Sequence, residues 1–245
     1  MDIASIILMY AHCAKNIISG SPGLSHVQVI NYILHINVRG RVQTMMILDL
    51  CGGTGAWSKP WKEAGYEVLN VTLPEYDITD EKVIKMCSDL KPYGILFAPP
   101  CNIWSNAGVR FWKHRTSDQV YTHAQILIAG LRIIHNTNPV FYCIENTIGK
   151  MKGLLGEPDQ SFHPYYFGDA YTKKTYLWGV FKKPIENRVE PLIRNPVKYG
   201  GSCSTKAQTP ISWIGGKNRQ EKRAITPAGF AKAFYEANCY AHAKI

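Results

Sequence analysis

At 245 residues, 46% of them apolar, the chain is long enough for one large domain, or one domain with a small attachment, and for a full core. Its seven cysteines are scattered, odd in number and without a C-x-x-C pair, which argues against a disulfide framework or a zinc site and for a reducing compartment. The formal charge of +10 is concentrated between Thr172 and Arg223, where twelve Lys or Arg stand against three acids, Glu186, Glu190 and Glu221. A basic lobe beside a neutral domain is the electrostatic footprint of a phosphate-backbone partner, although a solvated charged face is as common.

In chain order, Ile6 to Ile18 reads as a helix. It holds His12 and Lys15, is too short to span a bilayer and lacks the basic flank of a signal peptide, so a soluble cytoplasmic protein without a membrane partner is expected. After a Ser19-Gly-Ser-Pro-Gly23 breaker, Ile30, Tyr32, Leu34, Ile36 and Val38 alternate as a strand does, and residues 1–44 together read as an appended packing element. Met45 to Leu50 is a buried strand running into Asp49-Leu-Cys-Gly-Gly-Thr-Gly-Ala-Trp57, with a helix from about Ser58 that carries Pro60 in its first turn. Strand, acid, glycine turn and helix make a nucleotide-type cradle, in which glycines admit a ligand close to the backbone. The spacing is neither the dinucleotide fingerprint nor a P-loop, and a simple tight turn explains it equally well.

Gly65 to Thr72 is the next strand, and Asp77-Ile-Thr-Asp80 introduces a helix from about Glu81 to Leu90, with Thr79 or Asp80 as N-cap. Ile95 to Ala98 is a buried strand stopped by Pro99 and Pro100, and Cys101 follows at its carboxyl end. Ligands of open α/β sheets bind at that edge, so a thiol on a stiff Pro-Pro loop is placed as a nucleophile, the alternative being one more small buried hydrophobe. Asp118 to His135 is a long helix with Ala124, Ile128, Leu131 and His135 along its apolar face. Val140 to Ile144 is a strand that ends in Glu145-Asn146, an acid either for catalysis beside Cys101 or for capping the next turn. His163 to Gly168 and Thr175 to Phe181 read as two more strands, and Lys182 to Arg223 as a loop-rich basic segment. Thr226 as N-cap and Pro227 as first residue open a closing helix whose face is Phe230, Phe234, Ala237 and Ala241. The expected organisation is an element at 1–44, a catalytic domain at 45–181, a recognition segment at 182–223 and a docking helix at 224–245.

In this order the stretches resemble the cytosine-C5 DNA methyltransferase family, and the compact form is similar to its short phage-type members. Asp49-Leu-Cys-Gly-Gly-Thr-Gly55 looks like the family's S-adenosylmethionine turn, Pro99-Pro-Cys-Asn-Ile-Trp-Ser-Asn-Ala-Gly108 like its nucleophile loop, and Glu145-Asn146-Thr147 like its Glu-Asn-Val motif. Thr172-Lys-Lys-Thr-Tyr-Leu-Trp-Gly179 looks like a variant of its Arg-x-Arg motif. The resemblance implies an α/β fold, Rossmann-like and of class I, with a mainly parallel sheet, helices on both faces and a small basic recognition lobe. It implies that Cys101 attacks cytosine C6, that Glu145 hydrogen-bonds N3 and the exocyclic amine, that Asn146 beside it is catalytic, and that Lys174 holds the base O2. S-adenosylmethionine would lie against Asp49, Cys51, Gly52, Gly53, Gly55, Trp57, Thr72, Asp77 and Pro99. The partner would be double-stranded DNA with a cytosine flipped from the stack. Four positions depart from the family: Cys51 replaces a Phe, Thr72 an acid, Asn102 a Gln and Thr172 the first Arg. The closing Asn-Ser-Val loop is missing, and only about forty residues, 182–223, remain for recognition. An RNA cytosine-C5 methyltransferase, a transferase of a modified methionine-derived group, and a non-catalytic nucleic-acid-binding module stay open on these residues.

Overall fold

The computed structural model describes residues 45–105, 112–192 and 219–240. The appended element at 1–44, residues 106–108 of the nucleophile loop, most of the basic segment (193–218) and Ala241 lie outside the described residues. The described residues form a six-stranded sheet in the order β2-β1-β3-β4-β6-β5. Its strands are β1 (Met46–Leu50), β2 (Glu67–Val71), β3 (Gly94–Phe97), β4 (Phe141–Thr147), β5 (Gln160–Phe162) and β6 (Thr175–Val180). β1 pairs in parallel with β2 and β3, and β3 with β4, whereas β6 runs antiparallel between β4 and β5.

Strand alternation sorts the core into two layers. Leu48, Leu50, Ile95, Phe97 and Ile144 face one way, against α2 (Glu81–Asp89) and α3 (Ser117–Thr137). Ile47, Leu96, Phe141, Cys143 and Leu177 face the other, against α1 (Lys59–Glu63) and the closing helix. On that second face Trp61 is fully buried and stacks on Phe141 at 5.2 Å between ring centroids. Helices on both faces of a mainly parallel sheet make the Rossmann-like α/β fold that the sequence analysis expected of a class I methyltransferase. Its strand order reverses direction between β1 and β3, so the ligand crevice belongs where those two strands end. Among the described residues no helix is long and apolar enough to cross a membrane.

Of the two residues expected to cap α2, Asp80 does so, its carboxylate accepting from the Lys82 N–H at 2.8 Å. Several local expectations need correction. His163 to Gly168 is not a strand. β5 ends at Phe162, and Pro164–Phe167 is a 3-10 turn, because Pro164 cannot donate to a ladder and is preset for a helical start. The apolar face of α3 also differs. Leu127, Gly130, Ile133, Ile134 and Thr137 are buried, while Ile128 and Leu131 are 47% and 36% exposed. The run from Ile126 to Ile134 is apolar nearly all round, so more than one stripe fits it.

Two short helices follow β4 and the basic segment, α4 (Lys152–Leu155) and α5 (Arg219–Ala224), and the closing helix is α6 (Ala228–Asn238). Pro227 rather than Thr226 is its N-cap, with no side-chain cap of its own. Asp169, 60 residues earlier, accepts from the Gly229 N–H at 2.8 Å instead and satisfies one of the free donors of its first turn. Its buried face is Phe230, Ala231, Phe234 and Asn238, with Asn238 rather than Ala237 facing inward.

Candidate active site

β1 carries Asp49 into the interior, and the chain leaves the strand in a tight turn. Cys51 adopts φ 59° and Gly53 φ 55°, both left-handed, which costs a cysteine side chain and suits glycine. A side chain at Gly52 would collide with the Asp49 carboxylate. Asp49 is fully buried, and Ser58 Oγ donates to its Oδ2 at 2.5 Å. That bond explains why Ser58, the N-cap of α1, makes no side-chain cap there. Asp49 Oδ1 has no hydrogen-bond partner among the described residues. Burial pushes the Asp49 carboxyl up to about 6, and the Ser58 hydrogen bonds pull it back only in part.

Cys101 leaves the end of β3 through Pro99 and Pro100. Two contacts hold this exit: the Ala98 N–H donates to the Leu50 carbonyl at 3.0 Å, and Asn146 Nδ2 donates to the Pro99 carbonyl at 2.9 Å. Beyond it Ile103 and Trp104 are buried, the Ser105 N–H returns to the Cys101 carbonyl at 2.8 Å, and Ser105 bridges to Gly149. The nucleophile loop is thus pinned on both sides. On the neighbouring strand Glu145 and Thr147 share one side, and Lys173 brings its Nζ to 3.9 Å from Glu145 Oε1 with only 8% of the residue exposed.

One cleft of about 390 Å³ joins these groups. Asp49, Cys51, Gly52, Gly53, Trp57 and Pro99 line it together with Cys101, Glu145, Thr147 and Lys173. Burial raises the Glu145 carboxyl, with Lys173 acting against it, so the protonated acid is favoured beyond the ordinary carboxylate range. Burial also raises the Cys101 thiol and Glu145 adds to this, while Lys173 and Thr147 lower it. Cys51 has no such help. Burial, Asp49 and Asp77 push its thiol up to about 12, so of the two cysteines lining the cleft Cys101 is the one equipped to ionise.

Not all expected residues meet there. Lys174 is exposed, with its ammonium 5.8 Å from the Tyr176 ring centre, and does not line the cleft, whereas Lys173 does. The reason is strand parity, since Lys173 is in step with the buried Thr175 and Leu177 of β6. Asn146 is buried but points to Pro99 rather than into the cleft, so it positions the loop. Gly55, Thr72 and Asp77 are outside the lining, with Asp77 exposed and turned to the Thr79 N–H and hydroxyl. The far wall, Glu221, Ala224, Ile225 and Thr226, comes from α5 and the link to α6. Sequence reasoning missed that wall, and also Lys173 and Thr147. Alternation from Glu145 to Thr147 was a usable signal, whereas nothing local marks Glu221.

The buried pairing yields a discriminating prediction. Lys173→Met is expected to lower turnover by ~10²-fold, the low end for a group assisting proton transfer. Lys174→Met is expected to leave turnover nearly unchanged and to weaken only salt-dependent binding. Steady-state kinetics at two salt concentrations check both.

No family model matches the chain, and no curated protein matches it. Among solved structures it is similar to one described as a DNA modification methyltransferase encoded within an E. coli prophage, at 16% identity and a TM-score of 0.40 over 61% of this chain and 53% of that one. It is also similar to the S. pombe Dnmt2 methyltransferase, at 13% identity and a TM-score of 0.33 over 71% of this chain and 60% of that one. The chain therefore matches little more than half of each neighbour's length, and neither likeness bears on what the site does.

Proposed function

We propose that the protein is an S-adenosylmethionine-dependent DNA cytosine-C5 methyltransferase acting through a covalent Cys101 adduct. The observation that carries this reading is the convergence of the Cys101 thiol, the Glu145 carboxyl and the Lys173 ammonium on the cleft that also contains the Asp49–Gly53 turn.

The residues of the turn fit the cofactor. Asp49 Oδ1 is a buried acceptor without a partner among the described residues, suited to an ammonium group, and the space beside Gly53 is open. S-adenosylmethionine, when bound there, supplies an electrophilic methyl group. Cytosine C5 is a poor nucleophile until the ring is activated, and the chain's own groups do this. The Cys101 thiolate forms a bond to C6, Glu145 gives its proton to N3 as the ring takes up the electron pair, and Lys173 balances the negative charge on the carboxylate left behind. After C5 has been alkylated, the C5 proton passes to water in the cleft, the Cys101 sulfur leaves as thiolate, and N3 returns its proton to the Glu145 carboxylate, which restores the ring. A thiol suits both steps, since it adds and leaves readily. The cytosine has to leave the base stack to reach a cleft this recessed. Residues 182–223 form the target-facing segment in this reading, and their Lys and Arg suit phosphates more than base edges.

Asp49 gives the binding step a pH dependence. A cationic ammonium prefers the ionised carboxylate, so with the carboxyl held at about 6 the affinity for S-adenosylmethionine rises roughly tenfold between about pH 5 and pH 7. Asp49→Asn is expected to flatten that rise, and calorimetry across the range measures it.

Mass spectrometry of nucleosides from the DNA and RNA of expressing cells tests the function. Methylcytosine in DNA, absent with Cys101→Ser, is the expected result. Methylcytosine in RNA alone would move the substrate to RNA, and a heavier C5 adduct would change the group transferred. Unmodified cytosine in both pools would overturn the reading.

A further inference from the structure

Side chains alternate along β4, so Glu145 and Thr147 face the cleft on one side of the strand while Asn146 turns away to Pro99. Glu145 has a role in the chemistry above, and Thr147 has none. Its Oγ1 is shut off from solvent and has no partner of ordinary hydrogen-bond geometry among the described residues. Buried hydroxyls without partners are rare in folded proteins, and a valine would fill the same volume without that cost. The group beside it that gains from a donor is the Cys101 sulfur, where Thr147 favours the ionised form against burial and the Glu145 charge. The other charged groups in the cleft are Lys173, which also favours ionisation, and Asp49 and Glu221. A hydroxyl at this place therefore has one use the surroundings do not already supply.

We propose that Thr147 is a catalytic donor to the Cys101 sulfur, its hydroxyl proton turning towards the thiolate as the thiol gives its proton to water in the cleft. The hydroxyl keeps its proton throughout and donates a hydrogen bond to the sulfur. When the sulfur later leaves the base as thiolate, the same donor receives it. The inference rests on Cys101 being the nucleophile, and it adds a residue that tunes that sulfur.

The experiment follows alkylation of the full chain by iodoacetamide, in which the sulfur–carbon bond forms, iodide leaves and the thiol proton passes to buffer. Rates at Cys101 are read from its peptide by mass spectrometry between about pH 6 and pH 10, next to thermal melting. Thr147→Val is expected to move the Cys101 profile up by ~1 pH unit, roughly tenfold in rate at pH 8, the size of a hydrogen bond to a charged group. Thr147→Ser is expected to restore it, and Thr147→Ala repeats the loss of the hydroxyl in a smaller side chain. Profiles for Val and Ala that overlay the wild type would overturn the proposal, as would a loss in Ser equal to that in Val. A shifted profile in a protein that modifies no cytosine would support the Thr147–sulfur contact and overturn only the function proposed above.

Discussion

Cys101→Ser is expected to end product formation, with a loss of ~10⁴-fold or more in single-turnover rate, because removing a nucleophile removes the step that others assist. An alcohol at this position ionises far less readily than a thiol and leaves C6 less readily. The swap is nearly isosteric, and the loop is held by Asn146, Ile103 and Trp104 rather than by the sulfur, so melting and cofactor affinity are expected to stay close to wild type. Cys51→Ser is the matched control. That thiol also lines the cleft, but at about 12 it stays neutral, and its replacement is expected to change cofactor affinity more than rate. The Cys101 thiol is itself held above its ordinary range by burial, so its reactivity towards a simple alkylating agent, which does not call on Glu145, is expected to climb with pH through the thiol region. A Ser variant with substantial turnover would remove Cys101 from the chemistry.

Glu145→Gln is expected to cost ~10²–10⁴-fold in turnover with little loss of DNA affinity, since glutamine keeps the side chain's volume and loses only its proton. Stability supplies an independent reading. The Glu145 carboxyl is raised in the folded protein, so its contribution is fully present below the unfolded carboxylate range and is lost as pH rises through the raised folded value. Glutamine does not titrate, so the melting temperature of the variant relative to wild type is expected to increase with pH over that window. Near wild-type rates in Glu145→Gln would leave the acid with a merely structural role.

Much of the fold was legible because its central strands are buried on both faces. β1, β3 and β4 read as short apolar runs, each ended by a polar residue or by Pro99-Pro100, and those ends are where Asp49, Cys101 and Glu145 come together. What escaped depends on contacts that sequence spacing does not encode. The choice between Lys173 and Lys174 is a one-residue question of strand parity: Lys173 is in step with Thr175 and Leu177, which pair across the sheet with Thr147 and Glu145. The cap of α6 is Asp169, a tertiary partner, so Thr226 is free of that task and lines the cleft. Pro164 turned an aromatic run that alternates like a strand into a 3-10 turn. The buried side of α3 is selected by the Phe97 ring, which lies where a side chain at Gly130 would be, and no periodicity within the helix reveals that.

The proposed mechanism turns on a bond between Cys101 and cytosine C6 formed in the course of alkylation at C5. Incubating the full chain with S-adenosylmethionine and a duplex containing 5-fluorocytosine tests it most directly. Release of the enzyme needs a C5 proton, and fluorine cannot leave in its place, so a covalent mechanism stops at the adduct. The expected species has an intact mass equal to protein plus oligonucleotide plus one methyl group, with the nucleotide on the Cys101 peptide and no such species from Cys101→Ser. Methylated product from ordinary duplex without any trapped species from the fluorinated one, or an adduct on another residue, would contradict it.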